Sequence, residues 1–450
     1  MFKIEFNKSN RFNDNDEDTV KQNLIHYKGE IGEFDYDPNI WEMCYDKRMN
    51  QYYLHFKNVY VENLKLPKGL NSCYKMFEFC KLPENFTLDS YFDTSNILNM
   101  CFMFNCCKMP KSFKLGDKFD TSKVTNMLGM FQECTLSENF TLGDKFNTSN
   151  VRYMKQMFSY CKMPENFSLG NKFDTSKVLN MSYMFYYCKS HNNFSLGDKF
   201  DTSSVNDMSG MFCRYKFPKN FSLGNKFNTD NVNDMSSMFS YCRFTEDFSL
   251  GSKFNTEKVL DMSHMFSKCN LPKNFTLGNK FNTSNAINMK GMFLMCNMPK
   301  NFSLGDSFDT SNVVNMSGMF KECKLSENFS LKEKFDTSKI TNMNEMFSRC
   351  QMPNNLTLGD RFSTLNVESM RNMFHYCKMS ENFSLGNNFD TSNVKDLSYM
   401  FSGCKLPENF TLGDKFDVSN LSYTTNMFHK CQMSDSFKEK YKDLILKAQQ

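Results

Sequence analysis

Residues 308–323 read FDTSNVVNMSGMFKEC, and close variants of this phrase recur along the 450-residue chain. The Phe of its Met-Phe pair stands at Phe77, Phe104, Phe131, Phe158, Phe185, Phe212, Phe239, Phe266, Phe293, Phe320, Phe347, Phe374, Phe401 and Phe428, and every step is 27 residues. A Met precedes it in all fourteen copies, and a Cys follows three residues later in thirteen, with Tyr215 the exception. A fixed internal period decides the architecture before any motif does. Without insertions or deletions the copies are expected to stack in register, each burying its apolar face on the next, as a solenoid.

Within one copy, residues 162–188, the apolar pattern changes period. In NFSL, Phe167 and Leu169 alternate with Asn166 and Ser168, which predicts a short strand ended by Gly170. From Val178 the apolar set is Val178, Met181, Met184, Phe185 and Cys188, which predicts one face of a helix of about three turns. Asp174 is placed to cap that helix. The expected fold class is therefore an α/β solenoid, a stack of short parallel strands and short helices in about fourteen 27-residue repeats with non-repeating caps. A three-sided β-helix competes, but the Met-x-x-Met-Phe-x-x-Cys spacing disfavours it. Residues 1–70 do not repeat, and GEFDYD, IWEMCYD and NQYYLHF predict short strands that cover the first copy. The array proper spans 71–433, and 434–450 reads as an amphipathic capping helix with Phe437, Tyr441, Leu444 and Ile445 on one face.

The phrase resembles the repeat of BspA-like leucine-rich-repeat surface proteins and the related repeat of bacterial surface lipoproteins, over residues 71 to about 437. The period departs from that family's, and the strand segment reads M-x-x-x-F-x-L instead of L-x-x-L-x-L. The resemblance implies a leucine-rich-repeat-like binding or adhesion scaffold at a cell surface or outside the cell. The N-terminal stretch MFKIEFNKSNRFNDNDEDT has no apolar core of a signal peptide, so the residues by themselves point to the cytoplasm.

Composition narrows the function. The net charge is +4, 49 residues are Phe, and no run of eighteen apolar residues predicts a membrane span. Of the 18 Cys, thirteen form a column spaced by 27 without the Cys/His pairs a zinc site needs, so they read as buried reduced thiols. Alternating carboxylates at Asp14, Asp16 and Asp18 lack the glycine of a calcium loop and read as a solvated tail. No nucleophile–base pair, carboxylate dyad or phosphate loop appears, so neither an enzyme, a cofactor nor a metal is expected.

Binding surfaces are what remain, and a protein partner or a repetitive surface ligand is expected, with nucleic acid disfavoured. Lys118, Lys145, Lys172, Lys199, Lys226, Lys253 and Lys280 hold one position in seven successive copies, continued by Lys334, Arg361 and Lys415. Asp117, Asp144, Asp198, Asp306 and Asp360 in the preceding column offset that charge in part and predict a neutralised surface ladder, with a polyanion track as the alternative. The Asn-Phe-Ser/Thr triplets, with Asn and Ser pointing out, would offer a uniform polar ladder to a glycan. A unique partner needs residues that do not repeat. Tyr160, Tyr187 and Tyr241 share a column interrupted by Arg214, with Tyr183 and Tyr186 beside it, and are expected on the outer helix face. Tyr and Arg are the types that dominate interface energetics.

Overall fold

A computed structural model describes residues 41–48, 51–56, 64–88, 90–354 and 356–449. At its start, β1 (Trp41–Asp46) and β2 (Gln51–Phe56) form an antiparallel hairpin in which Trp41 faces Phe56. Trp41, Leu54 and Phe56 are buried. The Phe56 ring lies 5.2 Å from Phe77, and its N–H donates to the Met76 carbonyl at 2.9 Å, so the hairpin covers the first copy. The expected strand at GEFDYD and the Asp14–Asp18 run lie outside the described residues.

Each copy pairs with the next through isolated parallel bridges 27 residues apart. One line runs Asn99, Asn126, Tyr153, Asn180, Asp207, and another Lys81, Lys108, Thr135, Lys162, Lys189. Because the period is constant, every side chain meets its counterpart. Phe131 stacks on Phe158 at 5.7 Å and 7°, Phe140 on Phe167 at 6.3 Å, and Phe146 on Phe173 at 6.4 Å. The three columns interlock edge to face, as where Phe158 meets Phe167 at 5.8 Å and 68°. Burying each such ring stabilises the fold by about 1.5–3 kcal/mol.

The segment expected to be helical is not a helix. Every helix among the described residues lies within 435–447, and residues 182–187 are consecutive turns. In an α-helix each N–H returns to the carbonyl four residues back. Here the N–H groups of Tyr183, Phe185 and Tyr187 reach Ser209, Met211 and Cys213 in the next copy, at 2.8–2.9 Å. Those of Met184, Tyr186 and Cys188 close tight turns onto Met181, Tyr183 and Phe185. Tyr183 (φ 55°) and Tyr187 (φ 50°) are left-handed, and their counterparts repeat this along the chain. A left-handed non-glycine residue costs about 1–2 kcal/mol. Bonds between copies and the buried phenylalanines offset that cost. The turns point Met181, Met184, Phe185 and Cys188 inward at the same spacing a helical stripe would have, which is why the two readings coincide in sequence.

Two further expectations change with the helix. Asp174 accepts the Ser176 N–H at 2.9 Å, closing an Asx turn where a helix cap was expected. NFSL keeps its alternation, Phe167 and Leu169 buried and Asn166 and Ser168 exposed, yet forms no named strand. The bridges lie instead at Lys162 and Asn180. A buried threonine column adds a ladder of its own: Thr148, Thr175 and Thr202 each donate Oγ1 to the carbonyl 26 residues on, at 2.6–2.7 Å.

The C-terminal segment forms α1 (Asp435–Lys440), capped by Ser434, and α2 (Lys442–Lys447). Phe437 is buried edge-on against Phe428 at 5.8 Å, and the Asn426 N–H donates to the Ala448 carbonyl at 2.8 Å. No helix among the described residues is long and apolar enough to cross a membrane.

Candidate interaction surface

The residue two places after the Met-Phe phenylalanine is left-handed in copy after copy, so its side chain leaves the stack sideways and is presented to solvent. Over five copies this column reads Tyr160, Tyr187, Arg214, Tyr241, Lys268. Tyr187, Arg214 and Tyr241 are its exposed members, Tyr187 at 42% and Tyr241 at 38%, while Tyr160 and Lys268 are half-buried. The side chains stack on one another. Tyr160 meets Tyr187 at 5.3 Å, and the Arg214 guanidinium lies 5.9 Å from the Tyr187 ring and 4.4 Å from the Tyr241 ring. The Lys268 ammonium sits 4.5 Å over Tyr241 and also donates to its hydroxyl. Such cation–π contacts contribute about 0.5–1 kcal/mol each at exposed sites.

The expected cluster is thus brought together, but on a turn column and with unequal roles. Tyr186 is half-buried, edge-on to Tyr160 at 5.0 Å, with the two hydroxyls 3.5 Å apart. Burial, followed by the Tyr160 hydroxyl, holds the Tyr186 phenol well above its ordinary range. Tyr183 is half-buried too, its ring lying across Gly210 of the next copy. Only Tyr187, Arg214 and Tyr241 of the six are exposed.

The lysine ladder from Lys118 to Lys280 is exposed throughout, and among the described residues none of its members makes an ion pair with Asp117, Asp144 or Asp198. Those carboxylates and the lysines next to them lie on the exposed turn after Gly116, Gly143 and Gly197. The ladder's field falls on another column instead. Hydrogen bonds from Ser95 hold the Asp93 carboxyl below its usual range, and Lys118 and Lys145 add to that effect.

The cysteine column carries no chemistry of this kind. All 18 thiols are free, and the regular ones from Cys107 to Cys404 are buried; Cys134 and Cys269 donate Sγ–H to the Phe104 and Phe239 carbonyls at 2.7 and 2.9 Å. Burial pushes Cys269, Cys323 and Cys404 up to about 12. Among the described residues no group of His, Cys, Asp and Glu is placed to hold a metal ion.

Sequence reasoning missed a second basic column, Lys162, Lys189, Lys216 and Arg243, directly after the cysteines. Its signal was available: no acidic residue occupies that position in any of the fourteen copies.

A family model described as "Mycoplasma protein of unknown function, DUF285" matches residues 71–197, 163–276, 192–305, 288–405 and 355–444. No curated protein and no solved structure matches the chain.

Proposed function

The chain belongs to the DUF285 family, and from that premise we propose that its tandem repeats form a capped, non-enzymatic solenoid that binds another protein, at a cell surface in the manner of the BspA-like proteins its repeat resembles. The observation that carries this reading is the ladder Tyr160, Tyr187, Arg214, Tyr241, Lys268. The lysine ladder and the Asn-Phe-Ser/Thr column present nearly the same chemistry at each step, which cannot single out one partner. The Tyr160 to Lys268 ladder differs from copy to copy and is built of the residues that anchor interfaces. Its internal stacking holds the side chains in place before binding, so little rotamer freedom is lost on contact.

The test is capture by the intact, immobilised protein from extracts of cells that make it, beside a Tyr187→Ala/Arg214→Ala variant whose circular dichroism matches wild type. A partner retained by wild type and lost by the variant is the expected result. Equal retention by both overturns the reading.

A second reading is a linear polyanion or glycan on Lys118, Lys145, Lys172, Lys199, Lys226, Lys253 and Lys280. It is favoured by the absence of ion pairs on that ladder among the described residues. Here binding would weaken with salt and follow the lysines, leaving Tyr187 and Arg214 without effect.

A further inference from the structure

Two residues beyond the tyrosine column, across the buried Cys161, Cys188, Tyr215 and Cys242, runs the basic column Lys162, Lys189, Lys216 and Arg243, exposed throughout. Lys162 pairs in parallel with Lys189, and Lys216 with Arg243. Parallel pairing sets such neighbours about 4.8 Å apart. Like charges facing each other directly are destabilising, and none of the four makes an ion pair with a described carboxylate. The nearest acidic residues along the chain are Glu165 and Glu246, three places further on, and Glu246 already accepts the Lys273 N–H at 3.2 Å. Together with Arg214 and Lys268 the two adjacent columns carry six positive charges over five copies, bounded by Glu133 on one side and the exposed Met295 on the other.

We infer that this basic and aromatic strip binds an acidic protein segment, an extended stretch rich in Asp and Glu. The inference rests on the protein-binding reading and specifies the partner's chemistry. Six uncompensated positive charges call for an anionic partner. The aromatic rings decide its class. A single-stranded nucleic acid binds such strips by laying bases on free ring faces. Here the faces are taken: Tyr187 by Tyr160 and Arg214, and Tyr241 by Arg214 and Lys268. What the exposed Lys162, Lys189, Arg214, Lys216 and Arg243 offer is a row of ammonium and guanidinium N–H donors, and their natural acceptor is a carboxylate. An extended peptide places alternate side chains on one side about 6.6–6.8 Å apart, a spacing that flexible lysine stems can meet along the column.

The test uses the intact chain and two fluorescent probes, a peptide of alternating Glu and Ser and a polythymidine oligonucleotide of equal charge. The peptide is expected to bind at low salt and to weaken as salt rises. Lys189→Glu/Lys216→Glu should weaken it about tenfold or more, since it sets like charges against each other across the interface. Lys226→Glu/Lys253→Glu, on the other ladder, should leave it unchanged. If the first variant does not fold, Lys189→Gln/Lys216→Gln removes the charge without adding repulsion. No peptide binding at low salt, equal loss in both variants, or tighter binding of the oligonucleotide overturns the inference. Failure here with the Tyr187→Ala/Arg214→Ala effect on capture intact would retire only the acidic partner. Capture that ignores Tyr187 and Arg214 would retire the scaffold reading instead.

Discussion

The ring of Tyr183 lies across Gly210, its counterpart one copy later. A Cβ built on Gly210 would stand 2.3 Å from Tyr183 Cε1. The same relation joins Phe102 to Gly129, His264 to Gly291 and Tyr376 to Gly403, with ring carbons 2.4–2.6 Å from the would-be Cβ. Since Gly210 also has φ 58°, it is constrained twice, by its own backbone and by its neighbour's ring. Gly210→Ala is expected to destabilise the protein by about 1–3 kcal/mol in urea unfolding. Adding Tyr183→Ala should restore part of that loss, as residues in contact couple by about 0.5–3 kcal/mol. Strict additivity would show that the ring does not lie there.

Phe239 is fully buried, stacked between Phe212 at 6.0 Å and Phe266 at 5.6 Å. Phe239→Ala should cost about 3–5 kcal/mol. Hydrogen exchange should rise first in the copies that contain Phe212, Phe239 and Phe266, because each copy leans only on its neighbours. Unchanged protection there would refute the stacking.

Arg243 pairs with Asn270, one period on. Deleting residues 243–269 puts Asn270 opposite Lys216 and restores every column, so a folded, soluble, shorter protein is expected, with a circular dichroism spectrum like that of wild type. Deleting 20 residues from the same place breaks all the columns at once and should give aggregation. The two deletions behaving alike would rule out register as the organising constraint.

The thiols predict both an order of labelling and an alkaline limit. Cys44, Cys80, Cys106 and Cys431 are the partly exposed ones and should react with a thiol reagent in the native protein before the rest. Burial, aided by Glu133, pushes Cys106 up to about 12, so its reaction should still be slow at neutral pH. The buried thiols, with Cys269, Cys323 and Cys404 also near 12, stay protonated in the fold while the unfolded chain ionises from about pH 9. Their contribution is therefore complete below pH 9 and falls as pH rises towards 12. Each loses on the order of 1 kcal/mol per pH unit in that window. Urea midpoints at pH 8, 9 and 10 measure this, and a flat profile would contradict the burial of the column.

Much of this arrangement is legible in the residues. The constant period of the Met-Phe pairs fixes which side chains meet, and the alternation around Phe167 fixes which face inward. The path of the backbone between them was harder to read, because Met181, Met184, Phe185 and Cys188 turn inward whether their N–H groups close a helix or reach the next copy. The available clue was glycine. Gly129, Gly210, Gly291 and Gly318 share one column and Gly403 stands in the other, and a glycine inside a helix costs about 1 kcal/mol, so its return at set positions marks left-handed turns. The tyrosine cluster was visible as composition, but its division into exposed Tyr187 and Tyr241 and packed Tyr183 and Tyr186 depends on which neighbour each ring covers. That follows only from the turns.

In the turns around each Met-Phe pair the bonds between copies run one way, and this gives the molecule a polarity. The N–H groups of Tyr183, Phe185 and Tyr187 point to the following copy, which leaves this turn of the opening copy with bare acceptors and that of the closing copy with bare donors, while bonds such as that of the Leu179 N–H to the Arg152 carbonyl run the other way. The two flanking segments answer in kind: the hairpin supplies an N–H from Phe56, and the C-terminal helix a carbonyl from Ala448. They are not interchangeable plugs. Molecules shorn of both could join only head to tail, growing as filaments with distinct ends and never closing as symmetric pairs. The hairpin and the helix are thus the terminators that hold the assembly at the length of a single chain.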